Sequence, residues 1–265
     1  MLPVSDQLHL DHNGDWLTAW FNTPERRNPL TAERVEALIA LCVALQNSDM
    51  RGVIFRGQGG IFCAGGDLKA FQGLLQGTVT KDEVIGLSLR AADLFDAVSG
   101  LPQFTVMAVE GAAMAGGFGL ACCGDYVVAE DDARFGISEV RIGVTPAQIA
   151  PFVLARLGAR HGRRMMLMGD TVSGEGACSV GLVDQLVPPG DMNDALVGLR
   201  RQMAGIAPGA LAALKRQIAT IPNQTRKEQR KTAAECFADA MLSNEAREGI
   251  AAFLDKRKPQ WAESE

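Results

Sequence analysis

The sequence has no CxxC pair among its six cysteines, and its three histidines (His9, His12, His161) are scattered over 265 residues. A zinc site needs clustered ligands, so no metal is expected. Basic excess is also missing: the net charge is −5. Nucleic-acid binding usually shows the opposite field, so no nucleic-acid partner is expected. The longest apolar window lies around Val109 to Asp125. Glu110 and many glycines break it too often for a membrane span. Met1 to Asp15 carries acids and no apolar run, which is unlike a secretory signal. Cys42, Cys63, Cys122, Cys123, Cys178 and Cys236 read as small buried residues of a reduced, cytoplasmic compartment. What is present is a hydrophobic content of 47% against 22% charged residues, enough for a large core. One large body with a smaller appendage suits that length better than two equal halves.

The chain is organised around Val109 to Asp125. Phe104 to Val109 reads as a short buried strand and Phe118 to Cys123 as a helix of small residues, with a glycine-rich turn between. Such a turn leaves N–H groups free at a helix start, where an oxygen gaining negative charge is stabilised. Close packing of the helix on the strand explains the glycines equally well. The pattern recurs after the strand Gly52 to Arg56, in Gly57-Gln58-Gly59-Gly60-Ile61-Phe62-Cys63-Ala64-Gly65-Gly66-Asp67-Leu68, where Asp67 can cap the helix that follows. Two such turns, each offering an N–H to one oxygen, would make an oxyanion hole.

Elsewhere, Gln7 to Asp11 and Trp16 to Phe21 read as a hairpin through Asn13-Gly14. Thr31 caps a helix running to about Gln46, with Val35, Leu38, Ile39, Cys42, Val43 and Leu45 as its apolar stripe. Lys81 to Val98 reads as a helix with Leu87, Leu94, Phe95 and Val98 inward, and Tyr126 to Ala129 as a strand. Glu139 lies between Ile137 and Val140. A carboxyl in apolar surroundings resists ionisation and suits proton transfer, whereas a surface glutamate on a loop is the plainer reading. Two short helices separated near Gly158 follow, then a helix start at Ser173-Gly174-Glu175. Pro188-Pro189-Gly190 marks a boundary. Beyond it helices are expected over about Asp191 to Gly205, Pro208 to Thr220, Thr225 to Leu242 and Asn244 to Lys256. That appendage suits assembly, or simply covers its own core.

Six motifs, in order, resemble those of the enoyl-CoA hydratase/isomerase (crotonase) family. They are Pro24-Glu25-Arg26-Arg27-Asn28-Pro29-Leu30, Phe62 to Leu68, the Val109 to Asp125 stretch, Phe135-Gly136-Ile137-Ser138-Glu139, Gly181-Leu182-Val183-Asp184, and Glu248 to Arg257. The resemblance implies an α/β fold: a spiral of β-β-α repeats over residues 1–190, with a helical C-terminal oligomerisation region over 191–265 that packs trimers, often paired into hexamers. It implies an acyl-CoA thioester substrate, with CoA as part of the substrate and no separate cofactor. The family's two oxyanion amides fall on Gly66 and Gly116, and its acid/base on Glu139. Arg26 and the Ala64 to Lys69 segment, with Asp67, Leu68 and Lys69, fall where the family binds CoA. Phe237 and Lys256 fall where a neighbouring subunit reaches the adenine end. For Lys256 a solvated helix end is an equal reading.

The sequence also departs from the family. Hydratases of this kind usually carry a second glutamate, and its position here is Gly119. Three readings follow. Glu139 serves alone for water addition to a 2-enoyl-CoA; the space at Gly119 holds a larger acyl chain or a water; or the chain is an isomerase using one base. Arg141 and Gln148 are further candidates to replace the missing group. Glu139 to Val153 most resembles hydratases of branched glutaconyl-CoA thioesters, such as methylglutaconyl- or isohexenylglutaconyl-CoA. A non-catalytic CoA-ester-binding protein is the remaining alternative, opposed by the retained Glu139 and both turns.

Overall fold

A computed structural model describes residues 5–262; the first four residues of the acidic N-terminal stretch and the last three of the chain lie outside it. Two compact units are present. One comprises the chain up to Leu101 and Thr105–Met192, the other Pro102–Phe104 and the chain from Asn193.

The first unit begins with strands β1 (Leu8–Asn13) and β2 (Trp16–Phe21), paired antiparallel. Asn13 still pairs with Trp16, so the turn is Gly14-Asp15, one residue later than the Asn13-Gly14 expectation. Strands β3 (Gly52–Gly57), β4 (Phe104–Val109), β6 (Tyr126–Glu130) and β9 (Gln185–Val187) complete a six-stranded sheet in the order β1-β2-β3-β4-β6-β9. β2 with β3, β4 with β6 and β6 with β9 are parallel, and each return passes through a helix. A second sheet, β5-β7-β8, joins Ala112–Met114, Arg134–Gly136 and Thr171–Ser173.

Helix α1 (Ala32–Leu45) starts where the Thr31 hydroxyl accepts the Arg34 N–H at 3.1 Å. It buries Arg34, Val35, Ala37, Leu38, Leu41, Cys42 and Leu45. Val43 is not on that stripe and is 65% exposed, because the buried face runs through Leu41 and Leu45 instead. Arg34 is fully buried: its guanidinium donates to Pro29 O (2.7 Å) and Thr23 Oγ1 (2.5 Å) and lies 5.4 Å from the Phe21 ring. Helices α2 (Leu68–Gln76) and α3 (Lys81–Ser99) follow. On α3, Leu94, Phe95 and Val98 face the core as expected; Leu87, two turns earlier, is exposed. Helix α4 (Gly116–Cys123) is buried over almost its whole length. Helix α5 (Ala150–Met168) is interrupted at Gly158, whose φ of 69° breaks the helical run. Ser173 caps the short α6 (Gly174–Ser179). Four cysteines are buried, but Cys178 is exposed and Cys236 half-buried.

The second unit consists of α7 (Met192–Ala204), α8 (Pro208–Thr220), α9 (Arg226–Leu242) and α10 (Asn244–Leu254) with their connections. The Glu245 carboxylate accepts the N–H groups of Gly209 (2.8 Å) and Ala210 (3.0 Å), so α10 supplies the anionic cap that the α8 start lacks. Thr225 and Glu228 form a reciprocal cap on α9. No helix among the described residues is long and apolar enough to cross a membrane.

Candidate active site

Both glycine-rich turns are positioned by the same backbone register. Cys63 N–H donates to Ala112 O (3.0 Å) and Met114 N–H to Cys63 O (2.9 Å), so residues 62–63 run parallel to β5. Gly66 follows Cys63 by three residues, as Gly116 follows its partner Ala113, which sets the turns side by side. Gly65, at φ 95°, lets them approach: a Cβ there would stand 2.8 Å from Ala115 Cβ and 2.9 Å from Met114 O. Ala115 itself is held at φ 51° by its N–H bond to Gly136 O (2.8 Å). Gly117 touches Cys63, where a Cβ would meet the carbonyl oxygen at 2.5 Å.

Neither the Gly66 nor the Gly116 N–H has a protein acceptor among the described residues. Gly116 is the first residue of α4, where an N–H has no partner inside the helix and the helix dipole is positive. The N–H groups are free while neighbouring glycines pack, so both sequence readings of these turns hold together.

Glu139 opens a 3-10 turn (Glu139–Ile142) just beyond β7. The Gly136 O to Ala115 N–H bond ties the end of that strand to the residue before Gly116. Glu139 is not a surface residue: its Oε2 is buried and has no hydrogen-bond partner among the described residues. Burial pushes its pKa above the ordinary glutamate value, while the Ser138 and Glu139 amides pull the other way without cancelling it. A buried, unpaired carboxyl oxygen is costly unless something outside the fold uses it.

Gly119 is closed off. A Cβ there would lie 2.2 Å from Ile149 Cγ2, 2.7 Å from Ile149 Cβ and 3.3 Å from Phe95 Cε1. The expectation of a vacated volume for an acyl chain or a water is therefore corrected: Ile149 and Phe95 fill it, and Gly119 presents no open face as a substrate contact. The candidate replacements are engaged elsewhere. Arg141 donates to Gly169 O (2.8 Å) and Met168 O (3.1 Å), and Gln148 Nε2 donates to Ser88 Oγ (2.8 Å).

The remaining expected residues divide between the units. Arg26 pairs with Asp67 at 2.7 Å, and Asp67 accepts the Ala70 N–H at 3.3 Å as the α2 cap. Burial pushes the Asp67 carboxyl up, but the Arg26 hydrogen bond and the helix-start amides outweigh it and hold the pKa below the ordinary value. Ala64 donates its N–H to Arg27 O at 3.0 Å. Leu68 and Lys69, in the first turn of α2, are exposed. Phe237 on α9 and Lys256 after α10 are exposed residues of the second unit. Sequence reasoning missed the Ile149 plug, for which no local signal exists. It also missed the left-handed pair Arg27-Asn28 (φ 63° and 52°), for which the asparagine was a signal and the proline after it a contrary one. Among the described residues no group of three or more His, Cys, Asp or Glu could hold a metal ion.

Comparison with known proteins identifies the family and the fold. A family model described as enoyl-CoA hydratase/isomerase matches residues 17–264. The enoyl-CoA hydratase EchA19 of Mycobacterium tuberculosis is 30% identical over 254 residues, 95% of this chain and 95% of that protein. The crystal structure of an enoyl-CoA hydratase/isomerase from Marinobacter aquaeolei superposes with a TM-score of 0.92 at 34% identity, covering 98% of this chain and 100% of that one. The Pseudomonas aeruginosa AtuE structure gives 0.94 at 35% identity, covering 97% and 100%. The two-sheet spiral with its helical C-terminal region is thus the crotonase fold.

Proposed function

The chain belongs to the enoyl-CoA hydratase/isomerase family, and from that premise we propose that it adds water to a 2-enoyl-CoA thioester, or removes it in reverse. Glu139 is the acid/base, and the Gly66 and Gly116 amides hold the thioester oxygen. The observation that carries this reading is the buried Oε2 of Glu139, which the fold leaves unpaired with its proton affinity raised. In the forward direction the carboxylate takes a proton from water as the water oxygen bonds to C3. The C2=C3 pair moves toward the thioester, and the negative charge on its oxygen is met by the two amides. The same carboxyl then returns a proton to C2. One amide donor in such a site is worth on the order of 3 kcal/mol of barrier.

Arg26, Ala64, Asp67, Leu68 and Lys69 bind CoA in this proposal, with Phe237 and Lys256 of a neighbouring subunit reaching the adenine end. The assembly is a homotrimer or a hexamer working in the cytoplasm, without a further cofactor. Exposed Phe237, Leu242, Phe253 and Leu254 in the second unit support association. The narrower substrate, a 3-branched glutaconyl-CoA, rests on the Glu139 to Val153 resemblance.

A second reading is favoured by one specific observation. The packed Gly119 site leaves a single carboxylate, which is all that a double-bond shift requires. Assay with a 2-enoyl-CoA and a 3-enoyl-CoA separates the two. Loss of conjugated-thioester absorbance from the former marks hydration, and its appearance from the latter marks isomerisation. Glu139→Gln should abolish turnover and retain CoA-ester binding; undiminished turnover would remove Glu139 from the mechanism.

A further inference from the structure

Glu139 is carried by a turn that holds itself weakly. Arg141 N–H donates to Ser138 O at 3.0 Å and Gly143 N–H to Val140 O at 3.4 Å, in a 3-10 geometry poorer than that of an α-helix. No residue of Glu139–Ile142 is wholly buried, and Val140 (38%) and Ile142 (60%) are exposed, so apolar packing does little to anchor the turn. The strand before it gives out early. The β7–β8 pairing ends at Gly136 with Thr171, and one further bond, Ile137 N–H to Asp170 O at 3.3 Å, prolongs it.

Past that bond, the Arg141 side chain ties the turn to the end of α5. Its Nε donates to Gly169 O at 2.8 Å and its Nη2 to Met168 O at 3.1 Å. Carbonyls at a helix C-terminus have no donor inside the helix and stand at the negative end of its dipole, so a cation bearing two donors suits them on both counts. The planar fork fixes both bonds in one orientation. With Nε and Nη2 spent on main-chain oxygens, that edge of the guanidinium is closed to a substrate carboxylate. Gly169 is shaped to receive the arginine. Its φ is 64°, and a Cβ there would stand 2.9 Å from Arg141 Nε and 3.0 Å from Arg141 Cγ. Glycine therefore serves the left-handed helix end and the approach of the guanidinium together.

We propose that Arg141 is a positioning residue: by clamping the Glu139 turn to the end of α5, it fixes where the Glu139 carboxyl stands against the bound thioester. This inference rests on the reading of Glu139 as the acid/base. Arg141 lies two residues from Glu139, and a reacting group displaced by about 1 Å can lose on the order of 100-fold in rate.

The test uses the intact protein and whichever of a 2-enoyl-CoA and a 3-enoyl-CoA the native chain turns over. Arg141→Gln should lower kcat roughly 10- to 100-fold with KM unchanged. Its calorimetric affinity for butyryl-CoA, a saturated thioester with no double bond to react, should equal that of the native chain. Arg141→Lys keeps a cation and a donor at the end of α5, so its kcat should lie between those of Arg141→Gln and the native chain. Gly169→Asn keeps Arg141 and tolerates the left-handed backbone, but its Cβ displaces the guanidinium. It should also lose kcat with KM unchanged, and it decides the matter if Arg141→Gln does not fold. Native kcat in Arg141→Gln or in Gly169→Asn would overturn the proposal. So would an Arg141→Lys chain no faster than Arg141→Gln. A raised KM with native kcat would overturn it too, by making Arg141 a substrate contact. Full turnover by Glu139→Gln would instead remove the acid/base reading on which the clamp depends. An inactive Glu139→Gln beside a fully active Arg141→Gln would remove the clamp alone.

Discussion

The packing of Ile149 against Gly119 predicts a strongly coupled pair. Apolar carbons sit best about 3.5–4.0 Å apart, so a methyl at position 119, 2.2 Å from Ile149 Cγ2, overlaps by more than an ångström. Relief is hard to find: Ile149 is 3% exposed, and Phe95, the next neighbour, is 2% exposed and already packed against Phe152 with ring centroids 5.8 Å apart. Gly119→Ala should therefore cost about 1–3 kcal/mol, the usual range for overpacking. Ile149→Ala should cost about 2–5 kcal/mol through lost burial and a residual cavity. In the double variant the new methyl enters the space the isoleucine vacates, so the total should fall short of the sum by at least about 1 kcal/mol. Urea unfolding of the four chains of this cycle measures the coupling. Additivity within about 0.5 kcal/mol would refute the plug. The same cycle bears on chemistry, because a glutamate at 119 can be accommodated only after Ile149 is shortened.

The shifted Glu139 carboxyl predicts a pH signature. The folded state holds that proton more tightly than the unfolded chain does, so its contribution to stability falls as pH rises from the ordinary value of 4.5 through the raised folded value. Glu139→Gln should therefore gain stability relative to the native chain as pH rises through that window, with no gain below it; thermal melts in which the native chain gains instead would contradict the burial argument. Turnover limited by ionised Glu139 should rise with pH along a limb above the ordinary glutamate range, read from kcat/KM, and a limb at or below that value would contradict the same argument. Asn28→Ala removes two donated bonds and one accepted bond at a fully buried residue. A cost of about 3 kcal/mol is expected in chemical unfolding, and a cost under about 1 kcal/mol would mean that water replaces those bonds.

Elements defined by their own residues were legible in the sequence. Phe104–Val109 is bounded by turn residues and strongly apolar, and Pro208–Thr220 opens on a proline at its first position; both have the limits the sequence predicts. Thr31, Asp67, Ser173 and Thr225 cap the helices that follow them, because a side-chain oxygen and a free amide three residues on form a local unit. Faces were read less well. Val43 and Leu87 are apolar and near helical spacing, yet exposed, because periodicity gives the repeat of a stripe and not its edges. Arg34 shows the converse: a charged residue is buried because two oxygens and an aromatic ring, from Thr23, Pro29 and Phe21, meet it there. Ile149 enters the space over Gly119 from thirty residues away, and only the path of the intervening strands brings them together.

The glycine turns show why their packing was legible. In the sequence, close packing and free amides looked like rival explanations for the same residues. The coordinates make the first a condition of the second. Gly65 and Gly117 let residues 62–66 and the start of α4 approach within distances that any Cβ would forbid. That approach is set by the Cys63–Ala113 bridge. A side chain at 65 or 117 would push the turns apart, even with both amides still unpaired. The motif is readable because one physical requirement, contact between two backbones, restricts several positions at once. The plug at Gly119 was not readable because its restriction is carried by a single distant side chain.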